Sequence, residues 1–481
     1  MKANLREIPG SIVAPRGFLT SGVFSDIKRI GTGKGSEKGR KRDLALIVSE
    51  VPATVAGMFT TNQVCAAPVK VCIERVKKGF ARAIVVNSGN ANACTGKQGL
   101  KDALAMTALV AKQLHMPAGH VLIGSTGRIG VALPMHNVKA GILKALSLLD
   151  DTPECTNHAV EAIMTSDTQP KRLAVEFMLS GTTVRIGGMC KGAGMIQPGL
   201  SATGERPAAT PGAGPRQRHA TMLCFITTDA AIEAKTLQAT LQEAVARSFN
   251  RITVDGDMST NDTVLVLANG LAANPELRTR NPARPGTRNS ELETFQSALT
   301  HVCLELAKMI VRDGEGVSRF VTVRVSGARN FAEADAAARA VANSALVKTS
   351  WYGGDPNWGR IIDALGYSPA KVVEEQVDIG YATPLASMRR GHAMKDRSSA
   401  ARSRTDSSAG KILWSLKRGK PARTPFKALC ETARLKEFDL HINLNLGKAR
   451  AVIYTADLTE EYVEFNKGAI ADPNDPYSLG G

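Results

Sequence analysis

A threonine with a small residue before it and an apolar run after it is the first candidate for chemistry. It lies in His219-Ala220-Thr221-Met222-Leu223, continued by Cys224-Phe225-Ile226. A hydroxyl at the head of an apolar strand, behind a flexible stretch, can attack the carbonyl just before it and cut its own chain. The cut would leave Thr221 with a free α-amine, so that nucleophile and base sit on one residue, a known way to activate a weakly nucleophilic hydroxyl. The same five residues also read as a plain strand start, a common place for threonine. Upstream, Lys191-Gly192-Ala193-Gly194-Met195-Ile196 offers a cation that could hold a carboxylate or bias proton transfers. Gly124-Ser125-Thr126-Gly127 follows an apolar strand and reads as a turn. A glycine-flanked turn can aim N–H groups and a hydroxyl at one point, which stabilises a developing oxyanion. Asp313-Gly314-Glu315-Gly316 sets a carboxylate between glycines, where backbone can approach a ligand closely.

Other polar stretches read as structural. Asn87-Ser88-Gly89-Asn90-Ala91-Asn92-Ala93 suits a tight turn with helix capping. Asp255-Gly256-Asp257-Met258-Ser259-Thr260-Asn261-Asp262 is rich in oxygen but lacks the spacing and closing Glu of a calcium loop. It reads as a hydrogen-bonded turn before the strand Val264-Leu265-Val266-Leu267. Asp355-Pro356-Asn357-Trp358-Gly359-Arg360 reads as a turn.

Alternating strands and helices must position these groups. Short apolar runs at Leu44–Val48, Ala83–Val86 and Val121–Gly124 predict strands. Leu104, Leu109, Val110 and Leu114 give helical spacing over 102–114. After Thr221 comes a strand, then a helix whose Leu237, Leu241 and Val245 share one face. Ala332–Leu346 predicts an Ala-rich helix, and Leu440–Leu446 and Ala451–Tyr454 predict strands. Residues 201–217 and 274–290, rich in Gly, Pro and Arg, predict loops.

Composition removes several classes. With 43% hydrophobic and 5% aromatic residues in 481, the chain has the make-up of a globular protein with an aliphatic core. No run of about 20 apolar residues predicts a membrane span, and the N-terminus shows no apolar signal segment. Eight cysteines without a CxxC pair suit a reducing, cytoplasmic setting. Eight histidines without HExxH or similar spacing predict no metal site. The net charge of +17 invites a nucleic-acid reading, but twelve Lys/Arg and two Asp/Glu fall between Arg389 and Lys427, placing +10 in one segment. That segment is Ser/Arg/Ala-rich and nearly lacks aromatics for base stacking, so it predicts a solvated loop rather than a nucleic-acid surface.

Taken in order, these stretches resemble one family, the glutamate N-acetyltransferases or ornithine acetyltransferases of arginine biosynthesis (the ArgJ family). The resemblance rests on Gly57–Asn62, Asn87–Ala93, Ser125-Thr126-Gly127, Ser166-Asp167-Thr168, Lys191–Ile196, Ala220–Leu223, Val254–Asp262, Asp313–Gly316 and Asp355–Arg360. It implies a layered α/β fold of the DmpA/ArgJ type, with β-sheets packed between helices. It implies self-cleavage at Ala220-Thr221 into an α chain, 1–220, with an inserted loop at about 199–218, and a β chain, 221–481, with loops at about 274–290 and 385–430. Thr221 would be the nucleophile, taking acetyl from N-acetylornithine, releasing ornithine, and passing acetyl to glutamate to give N-acetylglutamate, a ping-pong scheme. Thr126 and Gly127 would form the oxyanion hole. Thr168, Lys191, Thr221, Glu315 and Asn466 would contact substrate, with Lys191 suited to a carboxylate and Glu315 to an amino group. No metal or organic cofactor is implied, acetyl-CoA is open as a second donor, and two α and two β chains would assemble as a heterotetramer. The competing reading on the same architecture is an aminopeptidase or amidase that passes the acyl group from Thr221 to water.

The chain departs from the family pattern near the bond to be cut. Thr221 follows Lys191 by thirty residues, a longer separation than the family's, and His219 stands where the family usually has Met. Looser geometry there would slow self-cleavage. Ala471 replaces a terminal Ser or Thr, for which Ser478 is a candidate substitute.

Overall fold

The computed structural model describes residues 4–28, 41–205, 221–277, 290–384 and 411–467. The expected cut residue Ala220, His219, most of the loop at 199–218, the core of that at 274–290, residues 385–410, Ala471 and Ser478 lie outside the described residues. The chain divides into two units, one formed by 1–252, 256–315 and 468–481, the other by 253–255 and 316–467.

The first unit is built on one mixed sheet. Its strands are β1 (Arg6–Glu7), β2 (Phe18–Val23), β3 (Leu44–Thr60), β4 (Phe80–Asn90), β5 (Val121–Arg128), β6 (Lys171–Leu179), β7 (Thr182–Lys191), β8 (Leu200–Ser201), β9 (Leu223–Thr228) and β10 (Thr263–Ala268). The order is β1-β6-β7-β9-β10-β3-β4-β5, with β2 and β8 also paired to β3. Parallel β4–β5 and β9–β10 pairs need long crossovers, and helices supply them. The helices of the unit are α1 (Ala67–Val76), α2 (Gly96–Gln113), α3 (Met135–Leu146), α4 (Pro153–Ile163), α5 (Ala234–Ala246) and α6 (Ser290–Arg312), with α2 between β4 and β5 and α5 between β9 and β10. Thr152 caps α4 by accepting the Cys155 N–H, ahead of Pro153 in the first turn.

Side chains alternate across the sheet. Leu223 and Phe225 of β9 join one core with Leu46, Ile84 and Ile123, covered by Met106 of α2, Ile142 of α3 and Val160 of α4. A Cβ at Gly188 of β7 would instead meet Leu306 and Val302 of α6 and Ile226 of β9. The layered α/β arrangement is therefore present, with one continuous sheet in this unit. Leu237, Leu241 and Val245 of α5 have no exposure, as their spacing predicts. Each such burial contributes roughly 1.5–3 kcal/mol.

The second unit has the strands β11 (Phe320–Ala328), β12 (Asp378–Ala382), β13 (Leu413–Lys417), β14 (Lys420–Pro421), β15 (Glu437–Asn443) and β16 (Ala449–Ala456), in the order β14-β13-β12-β15-β11-β16. Its helices are α7 (Phe331–Asn343), α8 (Ala345–Gly353), α9 (Trp358–Gly366), α10 (Phe426–Ala433) and α11 (Glu460–Asn466). Trp351 of α8 packs edge-on against Phe438 of β15. The Asp355–Arg360 turn caps α9, where the Asn357 side chain accepts the Arg360 N–H. No helix among the described residues is long and apolar enough to cross a membrane.

Three local expectations are corrected. Asn87–Asn90 is not a tight turn: it ends β4, and Thr95 is the residue that precedes α2. Gly124–Gly127 is not a turn: it continues β5 in parallel register with Val86–Gly89. Residues 411–430, expected within a loop at about 385–430, include the strand β13, the two-residue edge strand β14 and the start of α10. The lysines there suit a solvated sheet edge, and Lys417 Nζ lies 4.1 Å from the Trp414 ring centre.

Candidate active site

Thr221 stands just before β9, the strand between β7 and β10, and is 3% exposed. Both neighbouring strands hold it. On one side Lys191 ends β7 in register with Leu223. Its Nζ donates to the Thr221 carbonyl at 2.8 Å and to Thr126 Oγ1 at 3.2 Å. On the other side Thr263 opens β10, and its N–H donates to the Met222 carbonyl at 3.1 Å.

The oxygen-rich loop before β10 serves the threonine. Ser259 Oγ and Thr221 Oγ1 share a hydrogen bond of 2.8 Å. Asp262 Oδ1 accepts the Met222 N–H at 2.9 Å, and its Oδ2 accepts the Ser259 N–H at 3.3 Å. Asn261 N–H donates to Ser259 Oγ at 3.0 Å, and its side-chain amide donates to the carbonyls of Ala91 and Ser125. The loop thus ties the hydroxyl of Thr221 to the ends of β4 and β5.

Thr126 is fully buried in β5 opposite Ser88 of β4. Gly127 has φ +129°, and a Cβ there would lie 2.3 Å from Gly89 C and 2.5 Å from Asn90 N. Backbone crowds that position, so only glycine fits, and this close approach accompanies a break in the regular pairing.

Lys191 has no exposure. Burial pushes its pKa below the ordinary lysine value; Asp167 counters this most, Lys171 adds to it, and Glu315 and Asp262 oppose it. Glu315 is 6% exposed, its N–H donates to the Ala193 carbonyl at 3.0 Å, and its carboxylate lies against Gly194, where a Cβ would come within 2.4 Å. The Lys191–Ile196 stretch therefore touches both Thr221 and Glu315. Thr168 is exposed, and its hydroxyl is hydrogen-bonded to Asp313. Asn466 ends α11 of the second unit, where its Nδ2 donates to the Tyr462 carbonyl at 2.9 Å.

Thiols do not compete for the role of nucleophile here. Burial raises the pKa of Cys190 and Cys224, beside Lys191 and Thr221 in the same strands, well above the ordinary thiol value. Buried thiols of this kind are inert.

Sequence reasoning missed Ser259, Asp262 and Asp167 as working groups. The signal for the first two was a Ser and an Asp in the loop feeding the strand parallel to the one that Thr221 opens.

The family model that matches this chain is that of the ArgJ family, over residues 29–468. The chain is 42% identical over 460 residues to the arginine biosynthesis bifunctional protein ArgJ of Symbiobacterium thermophilum, covering 95% of this chain and 98% of that one. It is 40% identical to the glutamate N-acetyltransferase of Methanocaldococcus jannaschii, covering 96% and 99%. It is also 40% identical to the ArgJ protein of Geobacter sulfurreducens, covering 94% and 98%. With a buried threonine held by a lysine, and with relatives matching over nearly their whole length, the chain belongs to the ArgJ family.

Proposed function

We propose that this chain is a self-processing glutamate N-acetyltransferase of arginine biosynthesis, which moves acetyl from N-acetylornithine to glutamate through an acetyl-Thr221 intermediate. One observation supports the mechanism above all: the Thr221 hydroxyl, its carbonyl, the Lys191 ammonium and the Thr126 hydroxyl meet in one buried cluster.

In the first stage Thr221 Oγ attacks the Ala220 carbonyl carbon, the peptide C–N bond breaks and the nitrogen takes a proton. Water then hydrolyses the resulting ester and leaves Ala220 as a carboxylate. The freed α-amine has an ordinary pKa of about 7.7–8.0, close to the working pH of a general base. In the second stage this amine takes the Thr221 hydroxyl proton as Oγ attacks the acetyl carbon. The oxyanion is held by the Thr126 hydroxyl and the Gly127 N–H. Ornithine leaves with the proton, and the glutamate amine then attacks the ester carbon and regenerates the hydroxyl. Lys191 and Glu315 bear the charges that meet a zwitterionic amino acid, with Thr168 and Asn466 as further substrate contacts. The scheme needs no metal or organic cofactor, because the amine moves the proton and protein groups hold the oxyanion.

The cut would not separate the two fragments. β9 follows the bond, and is paired with β7 from before it; β10 follows it, and is paired with β3 from before it. The two fragments thus stay joined through the sheet of the first unit, and two such pairs assemble as the heterotetramer, in the cytoplasm, where free cysteines persist.

The test is glutamate acetylation by the purified chain with N-acetylornithine as the sole donor. The reading requires N-acetylglutamate and ornithine in equal amounts and parallel double-reciprocal lines. Acetate in place of N-acetylglutamate would instead make the enzyme an amidase. Parallel assays with acetyl-CoA alone show whether it serves as a second donor.

A further inference from the structure

Beside Thr221 and Lys191 the first unit buries further charges that the acetyl-transfer scheme leaves unused. Asp167 stands at their centre. Its Oδ1 accepts from Lys171 Nζ at 2.6 Å and from the Gly192 N–H at 2.7 Å. Its Oδ2 accepts from the Thr165 N–H at 2.9 Å and lies 4.0 Å from Lys191 Nζ. Lys171 also reaches Asp313. The Asp167 and Lys191 side chains have no exposure and that of Lys171 has 1%.

A fully buried ammonium is strongly disfavoured unless a countercharge is fixed near it. The two groups to which Lys191 donates, the Thr221 carbonyl and the Thr126 hydroxyl, are neutral. The countercharge must therefore come from elsewhere. Asp167 supplies it, held in place by three donors, one of them the N–H of the residue that follows Lys191. One carboxylate fixes both the backbone after Lys191 and the charge at the end of its side chain.

We propose that Asp167 is a positioning residue for this reaction: it holds the Lys191 ammonium on the Thr221 carbonyl and the Thr126 hydroxyl, keeping nucleophile and oxyanion donor in register. The proposal rests on the reading of Thr221 as nucleophile. The groups facing Lys191 are Asp167, Lys171, Glu315 and Asp262. Burial lowers the lysine's pKa, Lys171 lowers it further, and the three carboxylates raise it, Asp167 most. Removing the Asp167 charge lets Lys191 lose its proton at lower pH. Removing the Lys171 charge ends a repulsion and leaves Asp167 to serve Lys191, so the proton is held to higher pH.

The experiment is the pH dependence of kcat/KM for N-acetylornithine, measured on the cut, full-length enzyme for wild type, Asp167→Asn and Lys171→Met. Substrate groups titrate identically in all three, so differences belong to the protein. The alkaline limb is expected to move down by about one pH unit or more in Asp167→Asn and to move up in Lys171→Met. A merely structural loss would lower the rate without moving the limb in opposite directions. If Asp167→Asn fails to fold by circular dichroism, Asp167→Glu, which keeps the charge on a longer arm, is measured in its place: a moved alkaline limb supports the proposal and an unmoved one overturns it. Limbs unmoved from wild type would overturn the proposal. Thr221→Ala run alongside separates the two ideas: acetyl transfer by that variant would remove Thr221 as nucleophile, whatever the limbs show.

Discussion

Replacing Ser259 by alanine removes one oxygen that serves two partners. Ser259 Oγ lies 2.8 Å from Thr221 Oγ1 and accepts the Asn261 N–H at 3.0 Å, and all three residues are buried. The stability cost is mainly that of the orphaned N–H, about 1–3 kcal/mol, because a lone oxygen leaves little void. The effect on rate comes from Thr221. Its β-branched side chain has few χ1 states, and without its partner the hydroxyl can settle in another. A displacement of about 1 Å at a reacting atom costs on the order of 100-fold, or about 2.7 kcal/mol of barrier at 1.36 kcal/mol per tenfold. The assay is single-turnover acetylation by N-acetylornithine, followed as one added acetyl group on the fragment that begins at Thr221. Ser259→Ala is expected to acetylate between about tenfold and 100-fold more slowly than wild type, with substrate KM nearly unchanged. Ser259→Thr, which keeps the hydroxyl, recovers most of the rate. Wild-type acetylation in the alanine variant would refute the idea that this bond aligns the nucleophile.

Two further outcomes follow from the packing. A methyl group at Gly194 would press on the Glu315 carboxylate at 2.4 to 2.7 Å, so Gly194→Ala is expected to raise KM for both amino-acid substrates more than it lowers kcat, measured by steady-state kinetics. Lys348 of the second unit is buried, with 3% exposure, and burial, offset in part by Asp255 and Asp457, lowers its pKa from 10.5 to about 8. The native state then gives up this proton before the unfolded chain does. Between about pH 8 and 10.5 the unfolded state binds more protons, and stability rises with pH by an amount on the order of 3 kcal/mol from this group. Denaturant melts across that range should show the rise in wild type and a flatter profile in Lys348→Met.

The frame of the fold was legible where apolar spacing is local. The triplet Leu237, Leu241 and Val245 marked α5, and the run Val121–Ile123 marked β5. The end of β5 was not legible, because Gly124-Ser125-Thr126-Gly127 has the composition of a turn. It stays extended through its parallel partner β4, from which nearly forty residues of chain separate it. The strands β13 and β14 were hidden in the same way: a lysine-rich stretch looks like solvent-exposed loop, and at a sheet edge it can be both charged and paired. The stretches that hold Thr221, Lys191, Thr126 and Glu315 stood out as motifs, and the structure joins the first three through the Lys191 ammonium. Ser259 was not legible, since its place in the loop before the parallel strand does not by itself show that its hydroxyl reaches a residue 38 positions earlier. Asp167 and Lys171 sit four apart without a shared helix, so no local rule joins them.

The central claim is that Thr221 becomes an N-terminus and carries the acetyl group. The measurement that meets it most directly is a denaturing gel of the purified, active protein, with N-terminal sequencing of both bands, beside Thr221→Ala. Self-cleavage predicts two fragments, the second beginning Thr221-Met222-Leu223, and one uncut, inactive chain for the alanine variant. A single intact band in protein that transfers acetyl would contradict it.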